Sequence, residues 1–192
     1  MCTYTRGQFP LPHRLSRSRN KGKARKVGIK ATPEDRVELN QVEIRAINVE
    51  TPQWIAGLWD FCIKILSELD KHGWEVSVIL CNDEFIRDLN NRYRNMDNPT
   101  DVLTFPQLQI GAADSHVIGG DIIISLGRSA ENAHAFHQTH EKELKRLVVH
   151  GMLHLCGMNH DDTVSNESVG DLSEMLAHQE RILQKHSEEP LF

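Results

Sequence analysis

The chain has no run of eighteen consecutive apolar residues, which argues against a membrane-spanning helix. Its N-terminus also lacks the apolar core of a secretory signal, so the expectation is a protein that does not cross a membrane by that route. No C-x-x-C pair occurs. Cys2, Cys62, Cys81 and Cys156 stand far apart, and three of them lie in apolar runs where a reduced thiol packs as a small hydrophobe. A reducing, cytoplasmic setting is therefore expected. The bulk of the chain is short of positive charge as well. Residues 37–192 carry twelve Lys or Arg against twenty-five acids, net −13, whereas residues 1–36 carry ten against two, net +8. Residues 1–36 are rich in Arg, Ser, Pro and Gly and poor in large apolar side chains. Such a segment cannot bury enough surface to offset its ordering entropy, so a disordered basic tail is expected there. Three readings of it stay open: an arm that touches nucleic acid, an Arg- and Ser-rich transit peptide, or sequence upstream of a misplaced start.

What remains is ordinary globular material, 39% hydrophobic and 26% charged over the whole chain, enough for one domain with a sizeable core. Val42 to Val49 reads as a first strand. Trp54, Ile55, Leu58, Trp59, Cys62, Ile65, Leu66 and Leu69 recur at helical spacing, which predicts an amphipathic helix with an aromatic stripe in the core. Trp74 to Cys81 is an apolar, β-branched run suited to a buried strand, followed by a helix that Asp83 caps and that runs through Tyr93. Val102 to Phe105 reads as a strand ended by Pro106, and 107–116 as a polar loop. Ile122 to Ser125 has the composition of a strand in the middle of a sheet. A helical pattern begins near Arg128, falters from His137 to His140 and resumes at Glu141. A last helix, Asp171 to Leu183, presents Leu172, Met175, Leu176, Gln179 and Leu183 on one face for packing.

The chemistry concentrates in His150-Gly151-Met152-Leu153-His154-Leu155-Cys156-Gly157-Met158-Asn159-His160. A helix advances about 100° per residue, so histidines four apart lie about 40° apart on one face and can reach one ion. Gly157, three residues past the second histidine, can end the helix in a left-handed conformation and let the chain return His160 to the same point. Three imidazoles in a tetrahedral shell suit one zinc ion and leave a position open for chemistry. This spacing is that of metzincin-type zinc peptidases, but the glutamate that serves them as general base is replaced by Gly151. His134, His137 and His140 form a second cluster. Steps of three put its outer pair about 240° apart on a continuous helix, so these residues are expected to be exposed or to support the ligands from behind rather than to bind the ion.

Arg94 stands out in the loop that precedes the strand at Val102, because a guanidinium fork matches two phosphate oxygens. On spacing alone, an ordinary salt bridge to Asp97 or Asp101 is the alternative. Arg92, Arg94, Arg128, Lys145 and Arg146 are candidates for a small positive cleft beside the metal. Met175 reads as a core methionine, with a place beneath the metal as the other possibility.

The stretch His150 to His160, the run Tyr93-Arg94-Asn95-Met96-Asp97-Asn98-Pro99-Thr100-Asp101-Val102-Leu103-Thr104-Phe105-Pro106, and Gly120-Asp121-Ile122 together resemble the YbeY family of bacterial endoribonucleases and rRNA-maturation factors. The likeness extends from about Val37 to Ile182, which sets the domains as a tail over 1–36 and a catalytic domain over 37–187. The resemblance implies a single α+β domain, a small mixed four-stranded sheet packed by helices, with a metzincin-like zinc helix. It carries the zinc ligands onto His150, His154 and His160 and the functionally important arginine onto Arg94. It further implies zinc-dependent, single-strand-specific cleavage of RNA in maturation of the small-subunit rRNA 3′ end and in ribosome quality control. The partners would be rRNA and the small ribosomal subunit or its proteins. Asn159 replaces the family's usual aspartate and Thr104 its usual serine; neither is a ligand. A zinc-containing assembly factor without catalysis, or less readily a zinc peptidase, are the alternatives.

Overall fold

The computed structural model describes residues 39–110, 117–158 and 168–192, with side chains of the last stretch from residue 174 onward. The expected tail over 1–36 lies outside them. In chain order the elements are β1 (Gln41–Ile47), α1 (Ile55–Glu68), β2 (Trp74–Cys81), α2 (Asp83–Arg94), β3 (Val102–Ile110), β4 (Val117–Ser125), α3 (Leu126–Ala135), α4 (His140–Leu155) and α5 (Ser168–Lys185). The strands form one sheet of order β1-β2-β4-β3, with β1, β2 and β4 parallel and β3 antiparallel to β4. The described residues thus make one α+β domain with a four-stranded mixed sheet and five helices, the architecture expected from the sequence.

The sheet divides the apolar residues into two cores. Val76, Val78, Leu80, Ile122 and Ile124 face α1, α4 and α5, where they pack with Leu58, Ile65, Leu147, Leu153 and Met175. Ile79, Cys81, Ile123 and Leu103 point the other way and are covered by Ile86, Phe85 and Leu89 of α2. Burial on both faces explains why the two central strands read as continuous apolar runs. α4 is the central helix, with twelve of its sixteen residues buried.

Four expectations need correction. β3 does not end at Pro106 but continues to Ile110, pairing with β4 from Val117. It lies at the sheet's edge, where a proline withholds no ladder hydrogen bond that is needed, and the register shift between Pro106 and Gln109, with Leu108 at φ 42°, absorbs the irregularity. Trp59 is not core: it is 43% exposed, and its indole Nε1 donates to the Val42 carbonyl at 3.0 Å along the open edge of β1. The buried aromatic of α1 is Phe61. The cap of α2 is Asn82, whose Oδ1 accepts from the Phe85 N–H at 3.1 Å, and the helix runs one residue further, to Arg94. Leu176 of α5 is 42% exposed, while Met175 and Gln179 turn inward.

Asp121 sits in β4 beside Ser77, with Gln107 Nε2 donating to its Oδ2 at 2.8 Å. Burial raises its carboxyl above the usual range, against hydrogen bonding and the Arg45 charge that oppose the shift. A folded-state value above the unfolded one means that stability falls as pH rises through that interval and stays lower above it. Asp121→Asn is therefore expected to raise the melting temperature at about pH 7 and to lose that advantage near about pH 3. Thermal denaturation at the two pH values checks it.

Candidate active site

Helix α4 starts at a Thr139 cap, whose Oγ1 accepts from the Lys142 N–H at 3.2 Å, with Glu141 and Glu143 in the first turn to suit the helix dipole. It ends as the sequence suggested. Gly157 adopts φ 88°, its N–H bonds the His154 carbonyl at 3.0 Å, and the Met158 N–H reaches the Leu153 carbonyl at 3.1 Å. Between these ends the helix lies tight against β4. A Cβ at Gly151 would meet Ile122 Cγ2 at 2.9 Å and Cδ1 at 3.0 Å. The residue that carries a peptidase's base in the H-x3-H frame thus faces the sheet, with no room for a side chain.

His150 and His154 emerge together, each 2% exposed. Their Nε2 atoms are 2.9 Å apart, and the rings meet edge to face with centroids 4.5 Å apart. His150 Nδ1–H donates to Gln179 Oε1 of α5 at 3.0 Å. That bond fixes the tautomer in which the His150 Nε2 carries the lone pair, the arrangement in which histidines serve as metal ligands. Zinc–nitrogen bonds are about 2.0–2.1 Å, so nitrogens this close can share one ion. The donor set therefore fits zinc for the two ligands that are described. His160 and Asn159 lie outside the described residues.

Gln179 was read from the sequence only as part of a packing face. The available signal was a glutamine at an apolar position of an amphipathic helix without an obvious partner nearby in sequence; the structure leaves it 3% exposed. Gln179→Leu is expected to keep the fold and weaken zinc binding about 10- to 100-fold, the usual cost of losing a residue that orients a ligand. Competition with a chelator measures it. Met175 takes its place in the core, 1% exposed.

Arg94 ends α2, half-buried, and its Nη1 donates to Asn90 Oδ1 at 3.3 Å. Neither of the alternative salt bridges, to Asp97 or to Asp101, forms. Asp97 is held by Arg87 through Nε at 2.8 Å and Nη2 at 2.9 Å, which also holds its carboxyl below the usual range. Asp101 turns inward: Oδ1 accepts from the Val102 N–H at 2.9 Å, and Oδ2 from Asn132 Nδ2 at 3.1 Å and Arg146 Nη2 at 3.3 Å. Arg94 and the histidine pair belong to helices on opposite faces of the sheet, and no described contact joins them directly.

The expected positive cleft is also reduced. Lys145 is 5% exposed, bonds the Glu189 and His186 carbonyls and lies 3.3 Å from Glu141. Arg146 forks onto Glu143, whose oxygens lie 2.6 and 2.8 Å away. Arg128 pairs with Glu131 at 2.5 Å. Only Arg92 and Arg94, of the five, have no carboxylate partner among the described residues. In the second histidine cluster, His134 and His137 are exposed as expected, and His140 Nε2 contacts Ser129 Oγ at 2.8 Å.

Comparison with known proteins gives this arrangement a context. The chain matches the family model described as Endoribonuclease YbeY over residues 37–187. It is 39% identical over 152 residues to the endoribonuclease YbeY of Treponema pallidum (strain Nichols), covering 78% of this chain and 91% of that protein. With the endoribonuclease YbeY of Treponema denticola the identity is 40% over 130 residues, 66% of this chain and 80% of that protein. A solution structure of a Thermotoga maritima protein is similar at a TM-score of 0.50 and 29% identity, covering 79% of this chain and 95% of that one. At this identity and coverage the conclusion is direct: the chain belongs to the YbeY endoribonuclease family.

Proposed function

We propose that this protein is a zinc-dependent endoribonuclease that cuts single-stranded RNA during maturation of the small-subunit rRNA 3′ end and in ribosome quality control, in the cytoplasm. The observation that carries the reading is the buried His150–His154 pair, oriented by Gln179, in a chain of this family. His150, His154 and His160 would hold the ion. Bound zinc supplies Lewis acidity toward a phosphoryl oxygen and toward water. The remaining work falls to the chain itself. Gln179 keeps the His150 ring in one tautomer and one orientation. Arg94 offers a permanent positive charge and a planar fork to the non-bridging phosphate oxygens, which gather charge as the phosphodiester is broken. Burial of the histidine pair keeps bulk water from weakening these interactions.

Phosphate neutralisation supplies most of the affinity of nucleic-acid binding, and this body has little to offer for it. With Lys145 and Arg146 engaged internally, Arg128 paired with Glu131 at the surface, and residues 37–192 at net −13, contacts beyond the site must be few. Docking through small-subunit proteins, with the RNA presented as a flexible single strand, fits that surface better than capture of free duplex. Cleavage of 5′-labelled single-stranded and duplex rRNA fragments, free and on small subunits, tests the proposal. Preference for the single strand supports it; equal cleavage of duplex, or cleavage that survives in His154→Ala, would overturn it. An assembly factor without catalysis would bind subunits and cut neither.

A further inference from the structure

Arg94 and the histidines are carried by helices on opposite faces of the sheet, yet phosphate chemistry at one centre requires a fixed relation between them. Side-chain hydrogen bonds, joined by a short stretch of backbone from Asn98 to Asp101 and by one turn of α4, lead from one to the other. Arg94 Nη1 donates to Asn90 Oδ1 at 3.3 Å, and the same carboxamide's Nδ2 donates to the Asn98 carbonyl at 2.7 Å. Asn90 is 1% exposed, so both ends of its amide are used inside the protein. Three residues after Asn98, Asp101 receives Arg146 at 3.3 Å. Arg146 lies one helical turn before His150 and is steadied by Glu143, which is completely buried.

Resting on the functional reading above, we infer that Asn90 and Arg146 are positioning residues, which through Asn98 and Asp101 set the Arg94 guanidinium in a defined place relative to helix α4. Stability alone is a weak reason for such an arrangement. A buried ion pair often contributes no more than apolar side chains of the same volume, whereas its directional bonds specify one conformation. Arginine is needed at 146 because its fork serves Glu143 and Asp101 together, which a lysine ammonium cannot reproduce. Asn90 is needed because one group must accept from Arg94 and donate to the loop.

A residue that acts through Arg94 has nothing to act through once Arg94 is removed. The experiment is therefore a double-mutant cycle on the full chain, with Asn90→Ala and Arg146→Lys each placed in the wild-type and Arg94→Ala backgrounds. Cleavage of single-stranded RNA is followed with enzyme in large excess, and zinc content and melting temperature are measured for every variant. Each substitution is expected to slow cleavage about tenfold in the wild-type background and less than twofold in Arg94→Ala, with zinc content unchanged. Equal losses in both backgrounds mean a general structural role and overturn the inference, as does no loss in the wild-type background. If Arg94→Ala itself cleaves normally, the role of Arg94 falls and the relay with it; if His154→Ala also cleaves normally, the functional reading has failed first.

Discussion

His154→Ala is expected to abolish RNA cleavage, lowering it by at least about 10³-fold, and Arg94→Ala to lower it by about 10²–10³-fold, the usual effect of deleting a group that stabilises developing charge. The two variants fail for different reasons. His154 supplies half of the described nitrogen pair, with its Nε2 2.9 Å from that of His150, and without it the proposed zinc ion would lose a ligand. Arg94 touches no described carboxylate, so its removal leaves no buried acid unpaired; Asn90 Oδ1 loses a donor, at a cost of about 1–3 kcal/mol that a typical domain stability absorbs. Single-turnover rates with circular dichroism and metal analysis separate these outcomes. Arg94→Ala should keep its zinc and stay folded, with at most a modest drop in melting temperature, while losing rate; His154→Ala should lose zinc and rate together. Unchanged cleavage in both variants would overturn the proposed function, since the activity would then belong to other residues or to a contaminant.

Gly151→Glu, the substitution that would restore a peptidase's sequence, is expected to unfold the protein rather than convert it. The new Cβ alone would lie 2.9 Å from Ile122 Cγ2, and the carboxylate beyond it would enter the core between α4 and β4. Overpacking typically costs about 1–3 kcal/mol. Burying an unpaired carboxylate adds several more. Against a typical domain stability of about 5–15 kcal/mol, that sum is enough to leave much of the chain unfolded. Gly151→Ala carries only the steric part, offset by about 1 kcal/mol of better helix propensity. Urea denaturation should therefore place wild type above Gly151→Ala and Gly151→Ala far above Gly151→Glu. Wild-type stability in Gly151→Glu would show that this position faces solvent and that the helix is seated differently.

Where the sequence was read correctly, the signal was local and periodic. β2 agreed at both ends because Gly73 and Asn82-Asp83 bound an apolar run that is buried on both sides. Gly157 was legible because a histidine pair followed by glycine implies a helix stop, and its φ of 88° bears that out. What was missed depends on contacts between distant residues. Nothing near Gln179 in the chain announces His150, twenty-nine residues away. Pro106 marked a strand end by propensity, but an edge position makes the proline tolerable, and edge position is a property of the whole sheet. Charge misled in the same way. Arg146 and Lys145 look like surface cations in a helix, Glu143 lying within one turn of Arg146, and only the folded chain brings Asp101 to the one and the carbonyls of His186 and Glu189 to the other. The alternative of a salt bridge from Arg94 to Asp97 fails because Asp97 is taken by Arg87, one of several cations within reach along the sequence.

The most direct test of the account is the metal itself. Elemental analysis of the full chain, purified without chelator and dialysed against metal-free buffer, should find one zinc ion per chain in the wild type, and less than about a tenth of that in a folded His154→Ala variant, since a structural or catalytic site cannot spare a ligand. RNA cleavage by a wild-type preparation that holds no stoichiometric divalent metal, or full zinc occupancy in His154→Ala, would contradict it.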